Sequence, residues 1–352
     1  MKKVRVLVVE DSALMRRVIG DIIREHPDLE LLSTARDGFD ALKKIRTEKP
    51  DVVTMDLEMP RMDGLETLRR VMAEAPLPVI MISSHTRSGS ESTLKALDAG
   101  AVDFISKPLP GLPGDPVEDL KNILPRKLIA ASSARVGLLS SEKRHPVKAP
   151  QPAAPGGTRL RSPARVIVAI GASTGGPRAL ESLFCALPAD LPAAVLLSQH
   201  MPPGFTLSFA ERLNTISPLE VREAKQGDRI LTGQALVAPG GFHMVVSKGE
   251  IYLDSGPKVN FVRPSIDVML ESLCSCEQRV LVAIMTGMGK DGAAGALVLK
   301  QTKRNTLLLA QEPSTALIPS MPEALIKTGL CDIRVPLAGL ASEIDRYARI
   351  PA

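Results

Sequence analysis

Apolar residues fall in short, unbroken runs along the first part of the chain. Val4–Val9, Val52–Met55, Val79–Ile82 and Val102–Ile105 each read as a strand buried on both faces, with a less apolar fifth candidate at Leu29–Ala35. Between them lie helix-patterned stretches of about ten to fifteen residues. Such alternation predicts a doubly wound parallel sheet with helices on both faces, whose ligands sit beyond the carboxyl ends of the strands. The theme returns less regularly at Val166–Ile170, Ala194–Ser198, Val280–Met285 and Thr306–Ala310. Within this second series "QALVAPGGFHMVVSKGEIYLDS" alternates polar and apolar residues and turns at Gly240-Gly241 and Lys248-Gly249, predicting a small antiparallel insertion. The expected fold class is α/β: two doubly wound parallel-sheet domains, the second carrying the insertion.

The two series are separated by "ASSARVGLLSSEKRHPVKAPQPAAPGGTRLRSPAR", rich in Ala, Ser, Pro and Gly and without sustained periodicity. A stretch of this composition buries too little apolar surface to offset the entropy of ordering it. The expected organisation is a first domain over 1–124, a flexible basic linker over 125–163 and a second domain over 164–352. A chain of 352 residues suits two such domains.

The net charge of +5 invites a nucleic-acid reading, but its location argues otherwise. Between Lys121 and Arg165 stand ten Lys/Arg against one acid, Glu142, a local charge of +9 that leaves the remainder of the chain at −4. The basicity belongs to the linker, and no nucleic-acid partner is expected. No apolar run approaches the ~18 residues of a membrane span, so no membrane insertion is expected. The start "MKKVRVLVVEDS" has too short an apolar run for a signal peptide. Cys185, Cys274, Cys276 and Cys331 form no C-x-x-C pair and no disulfide framework, which fits a reducing cytoplasm.

Candidate chemistry gathers at predicted strand ends. In the first domain Glu10 and Asp11 follow the first strand, Asp56 ends the third, Ser83 the fourth, and Lys107 follows the fifth. A doubly wound sheet brings these together as three carboxylates, a hydroxyl and an ammonium. Adjacent carboxylates repel unless a hard cation lies among them, and oxygen ligands with open positions suit Mg²⁺. Attack by Asp56 on a phosphoryl group would give an aspartyl phosphate, with Lys107, Ser83 and the metal ion answering the charge of its oxygens. The acidic pair, "MDLEMPRMDG", the hydroxyl and Lys107-Pro108 make residues 1 to about 124 resemble the response-regulator receiver domain. The resemblance implies that a chemotaxis histidine kinase phosphorylates Asp56. Many receivers carry Asp-Asp where this chain has Glu10-Asp11, which keeps the charge on a longer reach.

In the second domain "ARVIVAIGASTGGPRAL" runs from an apolar strand through a glycine-rich turn towards a helix. A dinucleotide cradle would need an acid at the end of the next strand, about twenty residues on, and "LLSQHMPPG" supplies His200 instead. A phosphate loop would need Gly-Lys-Ser/Thr, which is absent. Gly171-Ala172-Ser173-Thr174-Gly175 also fits G-x-S-x-G, a nucleophile on a sharp turn. Ser173 then needs a base and an orienting acid, and two further strand ends offer His200 and Asp291. Each residue has a plainer alternative: Ser173 as a helix cap, His200 as a loop histidine, Asp291 as a cap of the next helix. His243 is a rival base, at a hairpin position better suited to orienting or binding.

"AIGASTGG", "SQHMPPGFTLSFAERLN", "VAPGGFHM" and "TGMGKDGAAG" make residues 164 to about 340 resemble the chemotaxis receptor methylesterases. The resemblance implies Ser173 as nucleophile, His200 as base and Asp291 as orienting acid, with backbone N–H groups of Thr174 and Met288 forming the oxyanion hole. It implies hydrolysis of glutamate γ-methyl esters on methylated chemoreceptors with release of methanol, and glutamine deamidation as a second activity. No cofactor is implied for the esterase, and the chain is expected to be a monomer. "KQTKRNTLLLAQEPSTALIPSMP" departs from the family pattern, which favours a glycine before Met-Pro. A receiver joined to a scaffolding module with a vestigial esterase site is the alternative from another class; an output domain that binds DNA would need a basic recognition helix, which is lacking.

Overall fold

The computed structural model describes residues 2–84, 86–107, 116–141 and 162–351. The chain divides into two compact units, Met1–Glu142 and Lys143–Ala352.

In the first unit, strands β1 (Val4–Val9), β2 (Leu29–Ala35), β3 (Val52–Asp56), β4 (Val79–Ser83) and β5 (Asp103–Ser106) alternate with helices α1 (Ala13–Glu25), α2 (Gly38–Glu48), α3 (Gly64–Glu74) and α4 (Arg87–Asp98). The sheet order is β2-β1-β3-β4-β5, and every neighbouring pair is parallel. β3 and β4 are buried along their whole length, as a sheet covered on both faces requires. Helix starts follow from short polar side chains. Ser12, Asp37 and Asp63 each accept the backbone N–H three residues on, from Met15, Asp40 and Glu66. α1 turns Ile19, Ile22 and Ile23 inward at helical spacing.

The segment expected to be linker from residue 125 is helical further than its composition predicts. α5 (Pro116–Ser132) runs through Pro125, and α6 (Val136–Ser141) follows. Leu120, Leu124, Leu128 and Ala131 are all buried, a helical stripe that continues past the proline. Pro125 deprives only the carbonyl of the exposed Lys121 of a helical donor, and water can serve that oxygen. Lys127 ties the helix to β5, its Nζ lying 2.9 Å from Asp103 Oδ1 and 2.8 Å from the Phe104 carbonyl. Residues 142–161 of the expected linker lie outside the described residues.

The second unit holds strands β6 (Val166–Ala172), β7 (Ala194–Gln199), β8 (Glu220–Glu223), β9 (Gln234–Val237), β10 (His243–Ser247), β11 (Glu250–Asp254), β12 (Arg279–Ile284), β13 (Leu307–Gln311) and β14 (Ile333–Val335). Its helices are α7 (Gly176–Ala186), α8 (Phe205–Ile216), α9 (Ile266–Ser272), α10 (Ala293–Thr302), α11 (Ser320–Lys327) and α12 (Leu340–Ala348). Seven strands form one parallel sheet in the order β14-β13-β12-β6-β7-β9-β8. The antiparallel insertion is smaller than its alternating sequence suggests. Among the described strands only β10 and β11 pair antiparallel, whereas β9 joins the main sheet beside β7. β9 is buried at all four positions, so its alternation of residue types does not mark a half-exposed strand. α9 packs Ile266, Met269 and Leu270 into the same core as Val282 and Ile284 of β12. Among the described residues no helix is long and apolar enough to cross a membrane.

Leu128→Ala tests whether α5 belongs to the core of the first unit. Deleting a fully buried leucine side chain should cost about 2–5 kcal/mol. In calorimetry of the full chain the melting transition of the first unit should move down. An unshifted transition would place the second half of α5 outside that core.

Candidate active site

Sheet register brings the candidate residues of the second unit together. β6 pairs with β7 so that Ala172 lies opposite Gln199, and the ladder continues one step as His200 N–H donates to the Ala172 carbonyl at 3.1 Å. Ser173 and His200, each the first residue past its strand, are therefore neighbours. On the other side β12 pairs with β6, and Ser173 N–H donates to the Thr286 carbonyl at 3.0 Å. The nucleophile candidate thus sits on the strand between the base and the loop that carries the acid.

The turn after β6 is shaped by close approach of main chain. Gly175 adopts φ 77°, and a Cβ there would lie 2.8 Å from the Leu317 side chain. A Cβ on Gly176 would meet Gln199 Oε1, and one on Gly287 would lie 2.8 Å from Ser173 Cβ. Gly175, not Ser173, precedes α7, and no side chain caps that helix. The serine hydroxyl is therefore not spent as a helix cap.

His200 Nδ1 lies 3.1 Å from Ser173 Oγ, and His200 Nε2 lies 2.8 Å from Asp291 Oδ2. An ionised carboxylate only accepts, so Nε2 carries the proton and Nδ1 presents its lone pair to the hydroxyl. This is a hydrogen-bonded relay able to take a proton from serine. Burial by itself raises the Asp291 pKa, but the hydrogen bond and charge of His200 and the N–H groups of Ile266 and Asp267 outweigh it and hold the carboxyl below the usual carboxylate range. Oδ2 accepts from Ile266 N–H at 2.7 Å; Oδ1 accepts from Ser265 Oγ at 2.8 Å, Asp267 N–H at 3.1 Å and Asn260 Nδ2 at 3.4 Å. Asp291 does cap a helix, but it is α9, not the α10 that follows it.

Thr174 and Met288 flank this arrangement. The Thr174 carbonyl accepts Thr286 Oγ1 at 3.0 Å, and Gly287, packed against Ser173, leads directly to Met288. His243 is not a competing base, since both ring nitrogens are engaged. Nδ1 accepts the Ser265 N–H at 3.1 Å and Nε2 donates to the Pro257 carbonyl at 2.9 Å. Several supporting residues are not among the candidates that the sequence singles out. Gln199 Nε2 donates to the Ser173 and His200 carbonyls at 3.0 and 3.2 Å. Asn260 and Phe261 stand in the left-handed region, φ 53° and 68°, between Val259 and Val262, which exchange both backbone hydrogen bonds. That tight turn carries the Asn260 amide to Asp291; two consecutive left-handed residues favour Asn at such a position, a signal available in "VNFV".

In the first unit the acidic residues also converge. Oxygen atoms of Glu10, Asp11 and Asp56 lie within 4.8 Å of one another, with Glu10 and Asp56 buried and Asp11 exposed. Lys107 Nζ reaches Asp56 Oδ2 at 2.6 Å and Glu10 Oε1 at 3.3 Å. Burial and the charge of Asp56 push the Glu10 carboxyl up to about 7, against the pull of Lys107. Burial disfavours the Lys107 ammonium, but its contacts with Asp56 and Glu10 prevail and its pKa is raised. Glu10 Oε2 is buried without a hydrogen-bond partner. A cluster short of positive charge, with an orphaned carboxylate oxygen, fits a hard divalent cation. Ser83 Oγ is turned towards α4: it lies 3.3 Å from the Ser84 and Gly89 carbonyls and accepts from Thr93 Oγ1 at 2.7 Å.

Both units resemble known proteins. A family model described as CheB methylesterase matches residues 168–344, and one described as response regulator receiver domain matches residues 6–111. The chain is 44% identical to a protein-glutamate methylesterase/protein-glutamine glutaminase of Pyrococcus abyssi, over 98% of this chain and 94% of that one. It is 45% identical to a protein of the same name from Geobacillus kaustophilus, over 98% of each. Among solved structures, the Thermotoga maritima CheB methylesterase catalytic domain matches with a TM-score of 0.50 at 35% identity, covering 53% of this chain and 100% of that one.

Asp291→Asn should lower ester hydrolysis by ~10⁴-fold if the pair behaves as in serine proteases. An amide –NH₂ at the Oδ2 position would confront Ile266 N–H and force the His200 proton onto Nδ1, facing serine. At the Oδ1 position it would confront Asp267 N–H. Steady-state kinetics on a folded variant check this, and an unchanged rate would remove Asp291 from the relay.

Proposed function

The chain belongs to the CheB methylesterase family and carries a response-regulator receiver domain, and on that premise we propose that it hydrolyses glutamate γ-methyl esters on methylated chemoreceptors under control of phosphorylation at Asp56. The observation that carries the reading is the Ser173–His200–Asp291 relay at three adjacent strand ends. Ser173 Oγ attacks the ester carbonyl while His200 Nδ1 takes its proton. Negative charge on the carbonyl oxygen is met by the N–H groups of Thr174 and Met288. Collapse returns the proton from His200 to the departing methoxide, which leaves as methanol, and a glutamyl ester on Ser173 remains. Water, deprotonated by His200, then attacks that ester, and serine is regenerated as glutamate leaves. Asp291 stays ionised throughout and stabilises the imidazolium that forms twice. Glutamine side chains undergo the same two steps with ammonia as the leaving group.

The receiver supplies the control. A chemotaxis histidine kinase donates its phosphoryl group to the Asp56 carboxylate. Glu10, Asp11 and Asp56 would hold Mg²⁺, which when bound offsets the negative charge gathered at this corner. Lys107, already on Asp56, then contacts a phosphoryl oxygen, and Ser83 rotates away from the Gly89 carbonyl to donate to another. That rotation releases the first turn of α4, so phosphorylation is read out as a change on the α4 side of the unit. The protein acts in the cytoplasm, as a monomer, on the cytoplasmic helices of its receptors.

Two measurements test this. Ser173→Ala should remove methanol release by ~10⁶-fold in kcat without loss of fold; wild-type-like release would end the assignment of the nucleophile. A small-molecule phosphodonor should stimulate the full chain roughly 5- to 150-fold, the usual span of coupling between two sites. Asp56→Asn should abolish the stimulation while keeping the basal rate, and stimulation that survives it would place control elsewhere.

A further inference from the structure

We propose that Asp267 is a positioning residue for the acid of the relay: Asp267, within α9, caps α10, while Asp291, ahead of α10, caps α9, and this exchange holds Asp291 where His200 needs it. The inference rests on the reading of Ser173, His200 and Asp291 given above. Asp267 lies in the first turn of α9, yet its Oδ1 accepts from Gly292 N–H at 2.8 Å and Gly295 N–H at 2.7 Å, at the start of α10. Asp291 lies just ahead of Gly292, the N-cap of α10, yet accepts from Ile266 N–H at 2.7 Å and Asp267 N–H at 3.1 Å, at the start of α9. Neither carboxylate can shift without stripping donors from the neighbouring helix, and each uncapped N–H group in this buried setting carries a desolvation cost.

The close approach this exchange needs is built into the sequence. A Cβ on Gly295 would lie 2.6 Å from the Asp267 carbonyl oxygen and 2.8 Å from Asp267 Cα. Gly292 takes φ 94°, and a Cβ there would lie 2.8 Å from Ile266 Cγ2. Asn260 completes the set, with Nδ2 placed 3.2 Å from Asp267 Oδ2 and 3.4 Å from Asp291 Oδ1, one donor group between two carboxylates.

The charge of Asp267 is a cost to the site and not the reason for its placement. Burial and the neighbouring Asp291 push its carboxyl up to about 6, so ionisation is opposed there. What α10 uses is an acceptor oxygen at a fixed place. A neutral amide of the same shape provides that oxygen, and Asn260 keeps its donation to Asp291 while giving up only its bond to position 267. An alanine provides nothing, and it frees the 287–292 loop, which carries both Met288 and Asp291, at its Gly292 end.

The test is hydrolysis of methylated receptor helices by the full chain with a phosphodonor, with kcat and KM separated and melting followed for every variant. Asp267→Asn should stay within about threefold of wild type. Asp267→Ala should lose about ten- to a hundred-fold in kcat, the scale expected when a reacting group is displaced by around an ångström, with KM within about twofold. Gly295→Ala, which wedges the two helices apart, should fall in the same direction, and it carries the test should Asp267→Ala fail to fold. A folded Asp267→Ala with wild-type kcat, a loss confined to KM, or an Asn variant as defective as the alanine would each overturn the proposal. Ser173→Ala run alongside separates the two readings: if it remains active, the nucleophile assignment has failed, not the role of Asp267.

Discussion

The buried carboxylate of Asp291 is the interaction on which the second unit turns. It is 3% exposed and accepts from His200, Ile266, Asp267, Ser265 and Asn260, donors that come from three separate stretches of chain. A charge so placed is tolerable only because each lone pair is answered. The same bonds bring α9 beside the carboxyl end of β12 and fix the height of the imidazole over Ser173. Parallel pairing supplies the remaining coordinate, since β6 and β7 end level and Ser173 and His200 fall side by side, with Asp291 delivered by the loop after β12. Ser265 in turn is held by His243, so a histidine that does no chemistry helps determine the geometry of one placed to do it.

The two acidic sites solve the problem of buried negative charge in opposite ways. Around Asp291 the protein supplies more than enough donors, and the carboxyl remains ionised with its surroundings complete. At Glu10, Asp11 and Asp56 one ammonium faces three carboxyl groups, and one of these oxygens has no partner. A complete shell suits a group that must not change during turnover. An incomplete one suits a group that must receive a charged substituent and register its arrival.

Much of this was legible in the sequence, for a physical reason. Strands buried on both faces leave unbroken apolar runs, and in a parallel sheet the residues just beyond such runs share one edge, so Ser173, His200, Asp56 and Lys107 could be placed without coordinates. What escaped was set by tertiary surroundings. β8, with sequence EVRE, is a short charged edge strand, and β14 has three residues; neither has a periodicity to detect. β9 reads as alternating but is wholly buried, and Pro125 reads as a break but lies within α5. The direction of capping was equally hidden. An aspartate ahead of a helix suggests a cap for that helix, whereas Asp291 serves α9, twenty-five residues earlier in the chain.

The glycines around Ser173 have a consequence for how such a site can diverge. Gly171 is pressed against Ile266, Gly175 against Leu317, Gly176 against Gln199, and Gly287 against Ser173 itself, so the turn that carries the hydroxyl has main chain where a side chain would not fit. Main chain has no alphabet: no substitution at these positions can enlarge, recharge or reshape the turn without displacing the nucleophile. Variation that leaves the chemistry running is left to outer positions such as Phe242 and Phe261, both exposed. Related enzymes that share this turn should therefore differ in what they recognise through such positions, with the reacting centre inherited as a unit.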